Sequence, residues 1–239
     1  MTKKPINQND THKMEFLDSI DYEYIFNDTP INRLENEIIT AKILPNKKLE
    51  YLEKLKIDIN AIKDCKLKSN SKNIVFGDGN INSSLMIVGG SPSEKDDLNG
   101  KTYAGEDGDL LKKMLLAINI KKEKVYITYA VNFRPTFDKK PTLEEIKRYS
   151  NFLQRHISII NPKIIIIMGG TAMESLTGLN NKISIQRGIW KEIFINNISY
   201  NTLNTFDPSY LLKVPENKKH SWEDLKKVKQ KITNLNLSI

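Results

Sequence analysis

The sequence predicts an α/β protein: a three-layer αβα sandwich on a four-stranded, mainly parallel sheet, with helices added at the N-terminus. Three observations predict it. Residues 85–88 and 164–168 are continuously apolar, as strands covered on both faces must be. Helical stretches separate the apolar runs, and that alternation suits parallel strands joined by crossovers. Two runs end in glycine pairs, Gly89-Gly90 and Gly169-Gly170, where loops leave the C-terminal edge of such a sheet.

Residues 1–30 are polar with scattered aromatics (Phe16, Tyr22, Tyr24, Phe26), read as a disordered start followed by a short docking helix. Residues 31–64 carry apolar positions at helical spacing: Leu34, Ile38 and Ile39, then Leu49, Leu52 and Leu55. Pro45-Asn46 divides them into two helices. Residues 1–64 thus form a tail and helical extension, and residues 65–239 the main domain. Its strands are expected at Ser84–Val88, Val125–Val131, Lys163–Met168 and Ile198–Leu203. Helices are expected at Asp107–Ile118, Thr142–Ile160, Thr171–Leu176 and Ser221–Thr233, the last capped by Ser221 with Asp224 three residues on.

The chain has 239 residues, enough for one buried α/β domain with an extension. No apolar run is long enough to span a bilayer, and the N-terminus lacks the apolar core of a secretory signal. With Cys65 the single cysteine, neither an intramolecular disulfide nor an all-cysteine metal site can form within one chain. A cytoplasmic protein with no membrane partner is expected. The net charge of +8 suits a polyanion, although a lysine-rich composition bias explains the same excess.

Four loops should meet at the C-terminal sheet edge. In the first, residues 89–105, Gly90, Ser91 and Pro92 allow close backbone approach, and Asp96 and Asp97 follow. A carboxylate there either orients water and steadies a developing cation, or caps a solvated turn. Tyr103, between Gly100 and Gly105, either stacks on a planar ligand or packs within the loop. The second loop, 129–141, interleaves aromatics with Arg134, Lys139 and Lys140, a pattern suited to a phosphate backbone or to a proline-stiffened surface. The third, Gly169, Gly170, Thr171 and Ala172, opens a helix whose N–H groups attract anions or simply packs strand against helix. The fourth, 204–213, holds a rigid Asp207-Pro208-Ser209 turn beside Tyr210-Leu211-Leu212, a wedge for a base stack or the start of a core helix. His12, His156 and His220 show no metal-ligand spacing.

In this order the loops resemble the family 4 group of the uracil-DNA glycosylase superfamily, and within it the branch typical of alphaproteobacteria. The similarity runs from about Cys65 to Val228. It is carried by Cys65–Lys68, Val75–Asn80, Met86–Gly89, Gly100–Gly105, Val125–Thr128, Arg134-Pro135, Pro141-Thr142, Met168–Gly170, Arg187-Gly188, Pro208–Lys213 and Trp222–Leu225. The resemblance implies a four-stranded parallel sheet between helices. It also implies excision of a flipped base from single- or double-stranded DNA by cleavage of the N-glycosidic bond. On it, Asp97 and Asp207 take catalytic positions, and Gly90, Ser91, Pro92, Tyr103 and Tyr129 bind the base. Gly169, Gly170, Thr171, Arg134, Arg187, Ser209, Tyr210 and Lys213 face DNA.

Three positions depart from the family pattern. Gly90 stands where a Glu is usual. Tyr129 stands where an Asn reads the uracil edge, and a phenol lacks the amide's donor-and-acceptor pair. Asp207 stands where a His donates to the base oxygen, and an ionised carboxylate repels charge developing there. The cysteines that hold an iron–sulfur cluster in many members are reduced to Cys65, two partner positions being Phe133 and Tyr149, so no cofactor is expected.

The resulting expectation is a monomeric DNA glycosylase of base excision repair with altered base preference. The alternative is a weak or inactive DNA-binding protein on a glycosylase scaffold. Residues 1–64 offer a place for a protein partner.

Overall fold

The computed structural model describes residues 47–239; the readings made for residues 1–46 lie outside them. Helix α1 (Lys48–Asn60) leads through α2 (Lys66–Asn70) into a six-stranded sheet of order β1-β3-β2-β4-β6-β5. The strands are β1 (Asp78–Gly79), β2 (Leu85–Gly89), β3 (Tyr126–Tyr129), β4 (Ile164–Met168), β5 (Trp190–Ile195) and β6 (Ile198–Thr205). Strands β3, β2, β4 and β6 are mutually parallel, as expected; β1 and β5 add antiparallel edges. The expected count of four strands is thus correct for the parallel centre and two short of the whole sheet.

Alternation along the central strands builds the three layers. Met86, Val88, Ile165 and Ile167 point to one face, where α1, α5 (Leu143–Ile160) and α6 (Gly170–Thr177) cover them. Leu85, Ile87, Ile164 and Ile166 point to the other, against α4 (Glu106–Ala117) and α9 (Lys218–Asn234). Two buried faces explain why these strands read as unbroken apolar runs. Leu52, Leu55 and Ile59 of α1 belong to the first core, and Lys48 Nζ donates to the carbonyls of Ile81 (3.2 Å) and Ile160 (2.8 Å). Helix α5 starts at a Thr142–Glu145 capping box, which satisfies its first free N–H groups.

Some local expectations need correction. The last helix does not begin at Ser221. It starts at Lys218, continuous with a 3₁₀ turn at Pro215–Asn217, and both Ser221 and Asp224 are buried inside it. The segment 89–105 is not all loop: α3 (Glu94–Asn99) occupies it, opened by a capping box between Ser93 and Asp96. The β5–β6 hairpin turns through Asn196-Asn197, both at positive φ (48° and 62°), a two-residue geometry that asparagine tolerates. Short helices α7 (Ile183–Gln186) and α8 (Pro208–Lys213) complete the chain. Among the described residues, no helix is long and apolar enough to cross a membrane.

Candidate active site

The segments after β2, β3, β4 and β6 enclose a pocket of about 550 Å³ at the C-terminal edge of the parallel strands. Gly90, Ser91, Pro92, Tyr103, Tyr129 and Asp207 line it, with Gly169, Gly170, Thr171, Ser209, Tyr210 and Lys213. All four expected loops therefore contribute, as the edge of a parallel sheet requires.

Two tyrosines and Asp207 make its floor, with the fully buried Asp96 hydrogen-bonded behind Tyr129. Tyr129 ends β3, and its Oη donates to Asp96 Oδ2 (2.8 Å) while accepting from the Tyr103 N–H (3.0 Å). Tyr103 Oη donates to Asp207 Oδ2 (3.0 Å), and the two rings lie 5.2 Å apart. Tyr103 takes a left-handed backbone (φ 49°). Its N–H bond, the Lys122 ammonium on its carbonyl (3.1 Å) and the Asp78 clamp on Thr102 hold that conformation. Gly89 makes the floor possible: a Cβ there would sit 2.5 Å from Tyr103 Oη. Burial pushes both phenols well above their ordinary range, and the carboxylates beside them add to the effect. Asp207 caps α8 by accepting at Oδ1 from the Ser209 N–H (2.9 Å) and Oγ (2.7 Å). Burial raises its carboxyl, and these hydrogen bonds oppose that rise.

Three residues expected at the site lie away from the pocket lining. The Asp97 carboxylate accepts from the backbone N–H groups of Lys72 and Asn73 (both 2.9 Å). Neighbours on α3 diverge by a helical step of about 100°, so Asp96 meets Tyr129 and Asp97 does not. Arg187 is turned into the fold: its guanidinium holds Asp224 through Nε (3.0 Å) and Nη2 (2.5 Å), and Thr205 Oγ1 donates to the same carboxylate (2.8 Å). Arg134 pairs with Asp138 (2.7 Å). Of the wedge candidates, Leu211 is buried core, while Tyr210 stacks on Phe206 (5.1 Å) and stays partly exposed.

Sequence reasoning missed Asp107 as a lining residue and placed it only as the start of a helix. Lys139 and Lys140 line the mouth, and Lys140 reaches Glu174 (2.7 Å). Phe137 beside them is 83% exposed at φ 56°. The clustering of Arg134, Lys139 and Lys140 was the available signal for this rim.

A family model described as the uracil DNA glycosylase superfamily matches residues 76–226. The chain belongs to the uracil DNA glycosylase superfamily. It is similar to the Type-4 uracil-DNA glycosylase of Thermotoga maritima, 34% identical over 171 residues, covering 69% of this chain and 86% of that protein. It is similar to the Type-4 uracil-DNA glycosylase of Sulfurisphaera tokodaii, 31% identical over 194 residues, 76% of this chain and 85% of that one. The Type-4 uracil-DNA glycosylase of Archaeoglobus fulgidus is 28% identical over 184 residues, 75% and 92% of the two chains.

The iron–sulfur cluster that the resemblance implies for many family 4 members does not fit the residues present. Cys65 is the single thiol, and its Sγ lies 3.3 Å from the hydroxyl of Tyr149. The buried Phe133 and Tyr149 rings, 6.3 Å apart, stand where the resemblance places cluster cysteines. At Gly90, a Cβ would come within 3.1 Å of Thr171, so a larger side chain in this glycosylase-superfamily pocket needs Thr171 to yield.

Proposed function

We propose that this protein is a DNA glycosylase that hydrolyses the N-glycosidic bond of a flipped, deaminated base, in base excision repair in the cytoplasm. The observation that carries this reading is the pocket at the sheet edge, lined in a superfamily chain by Tyr103, Tyr129 and Asp207. The Tyr103 and Tyr129 rings offer apolar walls for a flipped base. Lys139, Lys140 and Lys213 at the mouth supply charge for the phosphates, and exposed Phe137 supplies a face for an adjacent base. In the reaction the C1′–N bond breaks with its electron pair leaving on the base, and a water oxygen bonds C1′.

The polar floor favours purine lesions over uracil. Asp207 presents an acceptor, which repels the carbonyl beside uracil's glycosidic nitrogen as charge develops there, whereas hypoxanthine and xanthine carry no carbonyl beside N9. Asp97 is assigned here to holding the Lys72–Asn73 segment rather than to the chemistry. Oligonucleotides carrying uracil, hypoxanthine or xanthine, treated with protein and then alkali, test the reading. Strand cleavage at a purine lesion supports it.

A second reading is a DNA-binding protein without chemistry. It is favoured by the Tyr129 side chain, which takes the place of the family's base-reading amide and is hydrogen-bonded to Asp96. Salt-sensitive DNA binding with no base released at stoichiometric protein supports that reading instead. Both readings keep the chain monomeric and leave the N-terminal residues for a protein partner. A truncation that tests such a partner keeps residue 47 onward, because α1 carries core side chains.

A further inference from the structure

The reaction needs a carboxylate with an oxygen to spare for water, and the acids around the pocket differ in what they have left. Asp96 accepts from Tyr129 Oη, from the Ser93 N–H and hydroxyl (both 2.9 Å) and from the Ala104 N–H (2.7 Å). Asp207 accepts twice at Oδ1 from Ser209 and once at Oδ2 from Tyr103, and what Oδ2 has left is the acceptor assigned above to the base. Asp138 is paired with Arg134, and Glu174, which takes Lys140 on one oxygen, does not line the pocket. Asp107 differs. Its Oδ1 accepts from the Gly108 N–H (2.9 Å), and among the described residues no group donates to its Oδ2. It is half-buried and lines the pocket.

We propose that Asp107 is the catalytic carboxylate, holding the attacking water with its second oxygen and taking a proton from it as the water bonds C1′. This rests on the glycosylase reading and deepens it. The C1′–N bonding pair leaves with the base, and the proton gained by Asp107 passes to the departing base or to solvent.

The placement is rigid. Asp107 lies in the first turn of α4, and Gly108 beside it packs so closely that a Cβ would fall 1.8 Å from the Tyr103 carbonyl. The acid therefore stays in step with the ring expected to bind the base. Burial, followed by the charge of Asp96, pushes its carboxyl up to about 6. A base of that strength ionises near neutral pH and still accepts a proton. The titratable groups around it are Asp96 and Lys95 of α3, Glu106 of α4, Tyr103 and Asp207.

The test is single-turnover base release by the full chain, on whichever of the uracil, hypoxanthine and xanthine oligonucleotides the wild type cleaves. Asp107→Asn should slow release by about 10²-fold or more and leave DNA affinity within a few-fold. It should also remove the acid limb of the pH–rate profile near 6. Asp107→Glu should recover part of the rate. Asp109→Asn, an exposed acid on the same helix, should leave the rate unchanged. Release by Asp107→Asn within about 3-fold of wild type overturns the proposal, as does an unchanged acid limb. If the wild type cleaves none of the three, the glycosylase reading itself falls and this assignment with it.

Discussion

Tyr103 gives its phenolic hydrogen to Asp207 across 3.0 Å, and this bond joins the first pocket segment to the cap of α8. It occupies Oδ2, while Ser209 occupies Oδ1. The Asp207 carboxylate is therefore held in place by the protein from both of its oxygens. Tyr103→Phe keeps the ring and removes the donor. Urea denaturation should show a loss of about 1–3 kcal/mol, the cost of leaving a buried acceptor short of a partner.

Tyr129→Asn introduces the side chain that the superfamily resemblance expects and removes a ring from the floor. It gives up the bonds to Asp96 and the Tyr103 N–H, and stability should fall by roughly 3–5 kcal/mol, as for other large truncations in a core. Uracil release should rise relative to hypoxanthine release, because the amide offers a donor and an acceptor to the pyrimidine edge. Competition between the two lesion oligonucleotides measures the ratio.

Much of this was legible in the sequence, for identifiable reasons. Strands β2 and β4 were plain because burial on both faces leaves an unbroken apolar run, and Thr142 with Glu145 announced the start of α5. Strand β5 was not, because an edge strand keeps Lys191 and Glu192 among its apolar residues; Asn196-Asn197 was the unread hairpin signal. That Asp96 rather than Asp97 meets Tyr129 depended on α3, hidden in a stretch rich in glycine and polar residues. The resemblance places Arg187 toward DNA, and its ion pair with Asp224 was not legible because the two lie 37 residues apart along the chain. Asp107 could not be assigned to the pocket until the Tyr103 backbone was placed against Gly108.

Arg187→Ala tests the structural assignment directly. Asp224 has no exposed side-chain surface, so removal of its guanidinium leaves a buried charge unpaired. The loss should be about 3–5 kcal/mol in denaturation. The salt dependence of DNA binding by the folded variant should not change, whereas Lys213→Ala should lower the slope by about 1.

Buried His156 and half-buried Asp107 give the fold opposite pH responses. Burial lowers His156 to about 3, where it sits between Tyr126 Oη (2.8 Å) and the Phe76 ring (4.4 Å). Its neutral form is the folded one, so its contribution is complete above about 6.5 and is lost as pH falls toward 3, by on the order of 5 kcal/mol. Asp107 is raised from 3.8 to about 6, so its ionisation weakens the folded state as pH rises through that window. Asp107→Asn should therefore melt above the wild type at pH 7.5, with the difference vanishing near pH 4. Melting curves across pH 3 to 8 separate the two effects.

The central claim is that this pocket excises a deaminated base, and base release measures it most directly. Full-length protein is mixed at stoichiometric excess with single- and double-stranded oligonucleotides carrying uracil, hypoxanthine or xanthine. Free base is then quantified and abasic sites are cleaved with alkali. The account predicts release of a purine lesion faster than uracil. Salt-sensitive binding to all of these strands with no base released from any would contradict it.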